Sequence, residues 1–154
     1  MKEILSKEFE SLKNDLIKAY DQKGMRASGK FAESLEVTAT DYEAILKGED
    51  YSQQLESGRN SGKQPPIESI KQWILDKGVF TAILQEIKLS SLAFLIARKI
   101  GKEGWKREGY GGVNLISEVV TEERIQKIIN EVGEQQTIKF TSEILELTKQ
   151  LSVA

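Results

Sequence analysis

The stretch Tyr51–Gly78, YSQQLESGRNSGKQPPIESIKQWILDKG, holds both prolines of the chain, a basic glycine-punctuated loop and a tryptophan-bearing segment of helical period. Pro65 and Pro66 fix φ, withhold two backbone donors and bias Gln64 away from the α region. Gly58 to Gln64 is therefore expected to run extended up to the point where a helix opens. Beyond the prolines, Ile67, Ile70 and Ile74 fall at i, i+3 and i+7 with Trp73 beside them, which predicts a short helix with one apolar stripe. Ile70, Trp73 and Ile74 thus enter the expected core, and the loop carrying Arg59 and Lys63 is presented at the surface by the helix behind it.

Working outward, the chain has 154 residues, enough for a single domain that buries about 70% of its unfolded surface without metal or disulfide support. It contains no cysteine and no histidine. Disulfides, zinc fingers, thiol nucleophiles and histidine general-base catalysis are excluded together. With 22 basic and 24 acidic side chains the net charge is −2, so any attraction to nucleic acid or anionic lipid has to be local. The N-terminus MKEILSKEFESLK interrupts its apolar pattern with charges, unlike a secretory signal, and a cytoplasmic site of synthesis and residence is expected.

Towards the N-terminus, Ile4 or Leu5, Phe9, Leu12, Leu16 and Tyr20 predict an amphipathic helix over residues 2–21. QKGMRASGK is a flexible exit from it. From Ser34 to Thr40 the period changes to two, with Leu35, Val37 and Ala39 opposed to Glu36, Thr38 and Thr40. Asp41 marks a turn, and Tyr42, Ala44 and Leu46 alternate again up to Lys47. An antiparallel hairpin is expected, together with any strand around Tyr51 to Glu56. Towards the C-terminus, Leu92, Phe94, Leu95, Ile96 and Ile100 are apolar nearly all round, which predicts a buried central helix over residues 86–101 with Phe94, Ile96 and Ile100 in the core. Its apolar run is too short to span a bilayer. Val79 to Leu84 reads equally as helical turn or linker. WKREGYGGVN forms a glycine-rich loop bearing Trp105 and Tyr110, and Thr121 is the expected N-cap of a helix through Ile125, Ile128, Ile129 and Val132. Gly133 is placed to interrupt that helix before a second piece carrying Phe140, Ile144, Leu147 and Leu151. The expected architecture is a single α+β domain over 1–154, with an N-terminal helix (1–22), a small antiparallel sheet packed on the long central helix (34–104), and a C-terminal helical region (121–151).

GRNSGK, Gly58 to Lys63, invites comparison with a phosphate-cradling P-loop and fails it. The glycine spacing is one residue short, Gln64 stands where a magnesium-ligating hydroxyl belongs, and the prolines remove the donors that cradle phosphate. Acid pairs such as Glu33 with Glu36 or Asp41 with Glu43 read as a solvated face. No catalytic, cofactor-binding or metal-binding residue is expected. Arg59 and Lys63, flanked by Lys71 and Lys77, could alternatively contact DNA phosphates as a small DNA-associated module, although no aromatic stacking platform accompanies them.

Tyr51, LESGR from Leu55 to Arg59, Gly62, Lys63, Pro65, Pro66, then Ile70, Trp73, Ile74, Lys77 and Gly78, and LAFLIARKI from Leu92 to Ile100 with Gly104, occur in order. This run resembles the small tail-completion or head–tail joining proteins of tailed bacteriophages, often labelled minor tail component. Their pattern combines "GR.pGk.PP", "I..WI..KG" and a helix of the type "AFAIARKI...G". The resemblance covers residues 35–104. Asn60 and Ser61 depart from it where the family often has a proline, and GYGGVN departs where many members carry an aromatic and proline motif. It implies a structural virion protein, made in the bacterial cytoplasm and resident in the neck or tail. Such a protein forms a ring, hexameric rather than dodecameric, in a tail-completion or tail-terminator role. The implied partners are further copies of the chain, adjacent neck, connector or tail-tube proteins, and the DNA passing through the channel, with no membrane and no small-molecule substrate. Tyr51, Arg59, Lys63, Pro65, Pro66, Trp105 and Tyr110 are the expected interface residues, with Arg59 hydrogen-bonded to a carboxylate of a neighbour.

Overall fold

A computed structural model describes residues 1–78, 88–106 and 112–152. Tyr110 and Val79 to Leu84 lie outside the described residues. The chain is α+β and mostly helical, with a two-stranded antiparallel sheet. In order, the elements are α1 (Lys2–Gln22), α2 (Lys30–Ser34), β1 (Glu36–Ala39), β2 (Ala44–Lys47), α3 (Ser52–Ser57), α4 (Ile67–Asp76), α5 (Leu89–Glu103), α6 (Leu115–Val119) and α7 (Glu122–Ser152). Contacts cluster in two compact units, each drawn from non-contiguous stretches: 1–14, 36–46 and 120–154 in the first, 15–35 and 47–119 in the second.

In the first unit the alternation read from the sequence becomes the hairpin. Val37, Ala39, Ala44 and Leu46 are half-buried, while Glu36, Thr38 and Lys47 face water. The Thr40 N–H donates to the Glu43 carbonyl at 2.7 Å, and the Thr40 hydroxyl accepts from the backbone of Tyr42 and Glu43, a side-chain-braced turn. Leu12 of α1 and Ile128 of α7 are the buried apolar side chains. Arg124 donates to the Ser11 hydroxyl at 3.0 Å, and Thr121 caps α7 by accepting from the Arg124 N–H at 3.3 Å. Gly133 does not break α7. A mid-helix glycine costs about 1 kcal/mol against alanine, and here it lies between helix-forming runs braced by the Lys127–Glu131 and Lys139–Glu143 pairs.

The second unit holds most of the buried side chains. Tyr20 and Phe31 pack as a tilted ring pair with centroids 4.7 Å apart, and Leu16, Met25 and Leu35 are buried in the same unit. Helix α1 ends in a Schellman motif: the Met25 N–H reaches back to the Tyr20 carbonyl, the Gly24 N–H reaches Asp21, and Gly24 takes φ +63°. The Lys77 ammonium donates to the carbonyls of Gly24 and Arg26, tying that turn to the end of α4.

The main packing of this unit is α4 against α5. Ile74 is buried on α4, as expected, and Ile70 and Trp73 flank it half-buried. On α5 the buried positions are Ala93 and Ala97, with Ile96 and Ile100 half-buried. Phe94 is not a core residue, because the alanine face is the one that lets α4 approach closely and Phe94 and Leu95 are turned outward. Within this unit the packing partner of α5 is α4. Tyr51 to Glu56 is not a strand either. Gln53, Gln54, Leu55 and Glu56 are good helix formers with a single buried side chain, Leu55, and they form α3.

Candidate functional site

The segment between α3 and α4, residues 58–66, is a lasso pinned to the C-terminal end of α5. Its backbone pairs with Trp105 in an antiparallel bridge, Arg59 N–H to Trp105 carbonyl at 2.9 Å and Trp105 N–H to Arg59 carbonyl at 2.7 Å. Three residues on, the Gly62 N–H donates to the Gly101 carbonyl at 2.8 Å. Glycine is required where the chains touch. A Cβ on Gly104 would stand 2.1 Å from the Arg59 carbonyl oxygen, and one on Gly58 would stand 2.5 Å from the Trp105 carbonyl oxygen; both residues hold positive φ.

The lasso is fixed from its other side by Glu56, the last acidic residue of α3. The Glu56 carboxylate accepts the Ile116 N–H at 2.6 Å and the Ser117 N–H at 3.3 Å, with a further short bond from the Ser117 hydroxyl. This caps α6 with a side chain from a different helix, and the Asn114 N–H adds a bond to the Glu56 carbonyl at 3.0 Å. Lys23 and Glu118 form an ion pair at 2.6 Å in the same unit.

The expected interface residues take different places. Lys63 is exposed, Arg59 and Trp105 are half-buried, and Pro66 is exposed as the N-cap residue of α4. Pro65, within the same segment, is buried in the chain. Tyr51 stands at the opposite end of α3 from the lasso, roughly 9 Å along the axis, and its partial burial raises the phenol pKa. The Arg59 guanidinium donates to the Lys63 carbonyl at 2.7 Å, closing the loop on itself rather than meeting a carboxylate. A concavity of about 390 Å³, open to solvent, is lined by Arg59, Asn60, Ser61, Glu103, Trp105 and Lys106.

Chemically the site is a stiff polar projection. The Arg59 guanidinium donates to a carbonyl of its own loop, and the described residues include no group of three or more acids placed to hold a metal. No described helix is long and apolar enough to cross a membrane. Glu56 and Gly104 stand in the run that carries the resemblance, but the clamping roles of Glu56, Gly101 and Gly104 were not legible in the sequence. The glycines follow an apolar helix that gives no hint of what lies against them, and the role of Glu56 depends on a contact sixty residues away. No family model, curated protein or solved structure matches the chain.

Proposed function

We propose that the chain is a structural virion protein of a tailed bacteriophage, forming a ring in the neck that joins the head and portal to the tail. The observation that carries this reading is the lasso. Four of the residues that bear the resemblance to tail-completion proteins, Gly58, Arg59, Gly62 and Gly104, stand where residues 58–66 meet the end of α5. A loop ordered before docking loses less conformational entropy when it meets a neighbour, which suits a subunit that has to assemble in a fixed geometry. A head-to-tail contact of the right rotation closes such subunits into a ring. The role is one of architecture rather than catalysis, with neighbouring copies and adjacent neck or tail-tube proteins as partners and the virion as its final location.

The test is placement in the particle. Purified virions of the phage whose genome encodes this chain are probed with an antibody to it and examined by immunogold microscopy. Label at the head–tail junction is expected. Virions that lack the protein, or label confined to the capsid or to the distal tail, would overturn the reading.

A further inference from the structure

Among the described residues, two helix faces, one in each unit, carry large exposed apolar side chains. Residues 133–151 of α7 are exposed throughout, yet Phe140, Ile144, Leu147 and Leu151 repeat at i, i+4, i+7 and i+11 as one continuous stripe. Phe140 is 65% exposed and Leu151 80%. The stripe offers on the order of 500 Å² of apolar surface, the upper range of what a monomer leaves in one patch. The second face is the outer side of α5, where Phe94 (44% exposed) and Leu95 (53%) are continued by Arg98, Lys99 and Lys102.

Charge distinguishes the two faces. The unit that contains α7 carries seven basic against twelve acidic residues, a net charge of −5; the unit that contains α5 carries fifteen against twelve, a net charge of +3. Beside the α7 stripe stands Glu143, with Lys139 farther round the same flank, and beside the α5 pair stand Arg98, Lys99 and Lys102. The pairs these groups make within their own helices are long and exposed, Lys139–Glu143 at 4.0 Å and Lys99–Glu103 at 3.8 Å, and are easily exchanged.

We infer that the C-terminal half of α7 from one copy docks on the outer face of α5 in a second copy. Phe140, Ile144, Leu147 and Leu151 lie against Phe94 and Leu95, with Glu143 meeting the Arg98, Lys99 and Lys102 cluster. One contact covers both apolar faces and joins surfaces of opposite sign. The two faces together bury roughly 1,000 Å², the lower limit for a specific interface, so a single contact is weak and the assembly draws on repetition. The contact is heterologous: each copy uses its α7 on one neighbour and its α5 on the other. It rests on the proposed ring only for closure, and the docking itself stands on these two faces.

The experiment mixes two variants of the full chain. Leu147→Glu disables the α7 face and Leu95→Glu the α5 face. Both positions are more than half exposed, so both variants should keep the parent melting temperature, which is measured first. By sedimentation velocity the parent is expected to associate as its concentration rises, each variant alone to remain monomeric, and an equal mixture to give a discrete heterodimer, since one good face of each kind remains. A Leu95→Glu chain that self-associates as well as the parent would show α7 pairing with α7 and overturn the inference. A parent that stays monomeric across the concentration range would overturn it also. A mixture that forms the heterodimer while the parent grows into open chains would leave the docking intact and refute the closed ring instead.

Discussion

At the scale of single residues, the tightest constraint in the molecule is at Gly104. A methyl group there meets the Arg59 carbonyl at 2.1 Å and also has to hold φ +68°, so Gly104→Ala is expected to release the lasso from α5. The backbone strain alone costs about 1–3 kcal/mol, and displacement of the Arg59–Trp105 bridge adds to it. Chemical denaturation should show that loss, together with faster amide exchange at Arg59 and Trp105. Unchanged stability would mean that the two strands do not meet. Arg59, expected to meet a carboxylate of a neighbour, also bonds within its own chain. Its bond to the Lys63 carbonyl now predicts a loss of about 1 kcal/mol in the isolated chain. Asp21 offers a pH test. Its hydrogen bond from Arg26 lowers the carboxyl pKa below the ordinary value, with the facing charge helping. A depressed folded pKa contributes stability that is present above the unfolded carboxylate pKa and lost as pH falls through the folded one. The pair is exposed and the effect small, so Asp21→Asn should slightly flatten the acid limb of the stability profile and leave the alkaline limb alone.

At the scale of elements, α5 shows what hydrophobic periodicity can and cannot decide. LAFLIA is apolar on every side, so its existence as a helix was legible while its buried face was not. The selection is made by α4, which needs small side chains for close approach and finds them at Ala93 and Ala97. Ile74→Ala is accordingly expected to cost about 2–5 kcal/mol through a cavity between α4 and α5, whereas Phe94→Ala should cost less than about 1 kcal/mol, by denaturant unfolding of the two variants. Equal costs would contradict the assigned face. The alternation of residues 35–47 was legible because a half-buried strand writes its period directly into the sequence. Tyr51 to Glu56 was misread because six residues with one buried leucine carry no period at all, and helix propensity decided. Gly133 was misread as a break for a related reason: its cost is local, and α7 continues through it on the strength of both flanks. Space around its absent Cβ is open, so Gly133→Ala should raise stability by about 0.5–1 kcal/mol, visible as a higher melting temperature.

At the scale of the whole molecule, each unit has its own buried side chains and also bears an apolar helix face that it leaves uncovered. The lasso was legible as a loop from its prolines and glycines. Its clamping partners were not, since Gly101, Gly104 and Glu56 act across forty to sixty residues of sequence, and spacing carries no record of that. The assembly proposed above draws on the lasso, the exposed α7 stripe and the opposite net charges of the two units. The most direct test is negative-stain electron microscopy of the purified full-length chain at concentrations where sedimentation shows association. Closed rings of uniform diameter with a central opening are expected, six-fold rather than twelve-fold in class averages. Monomers alone, or compact two-fold dimers without an opening, would contradict the account.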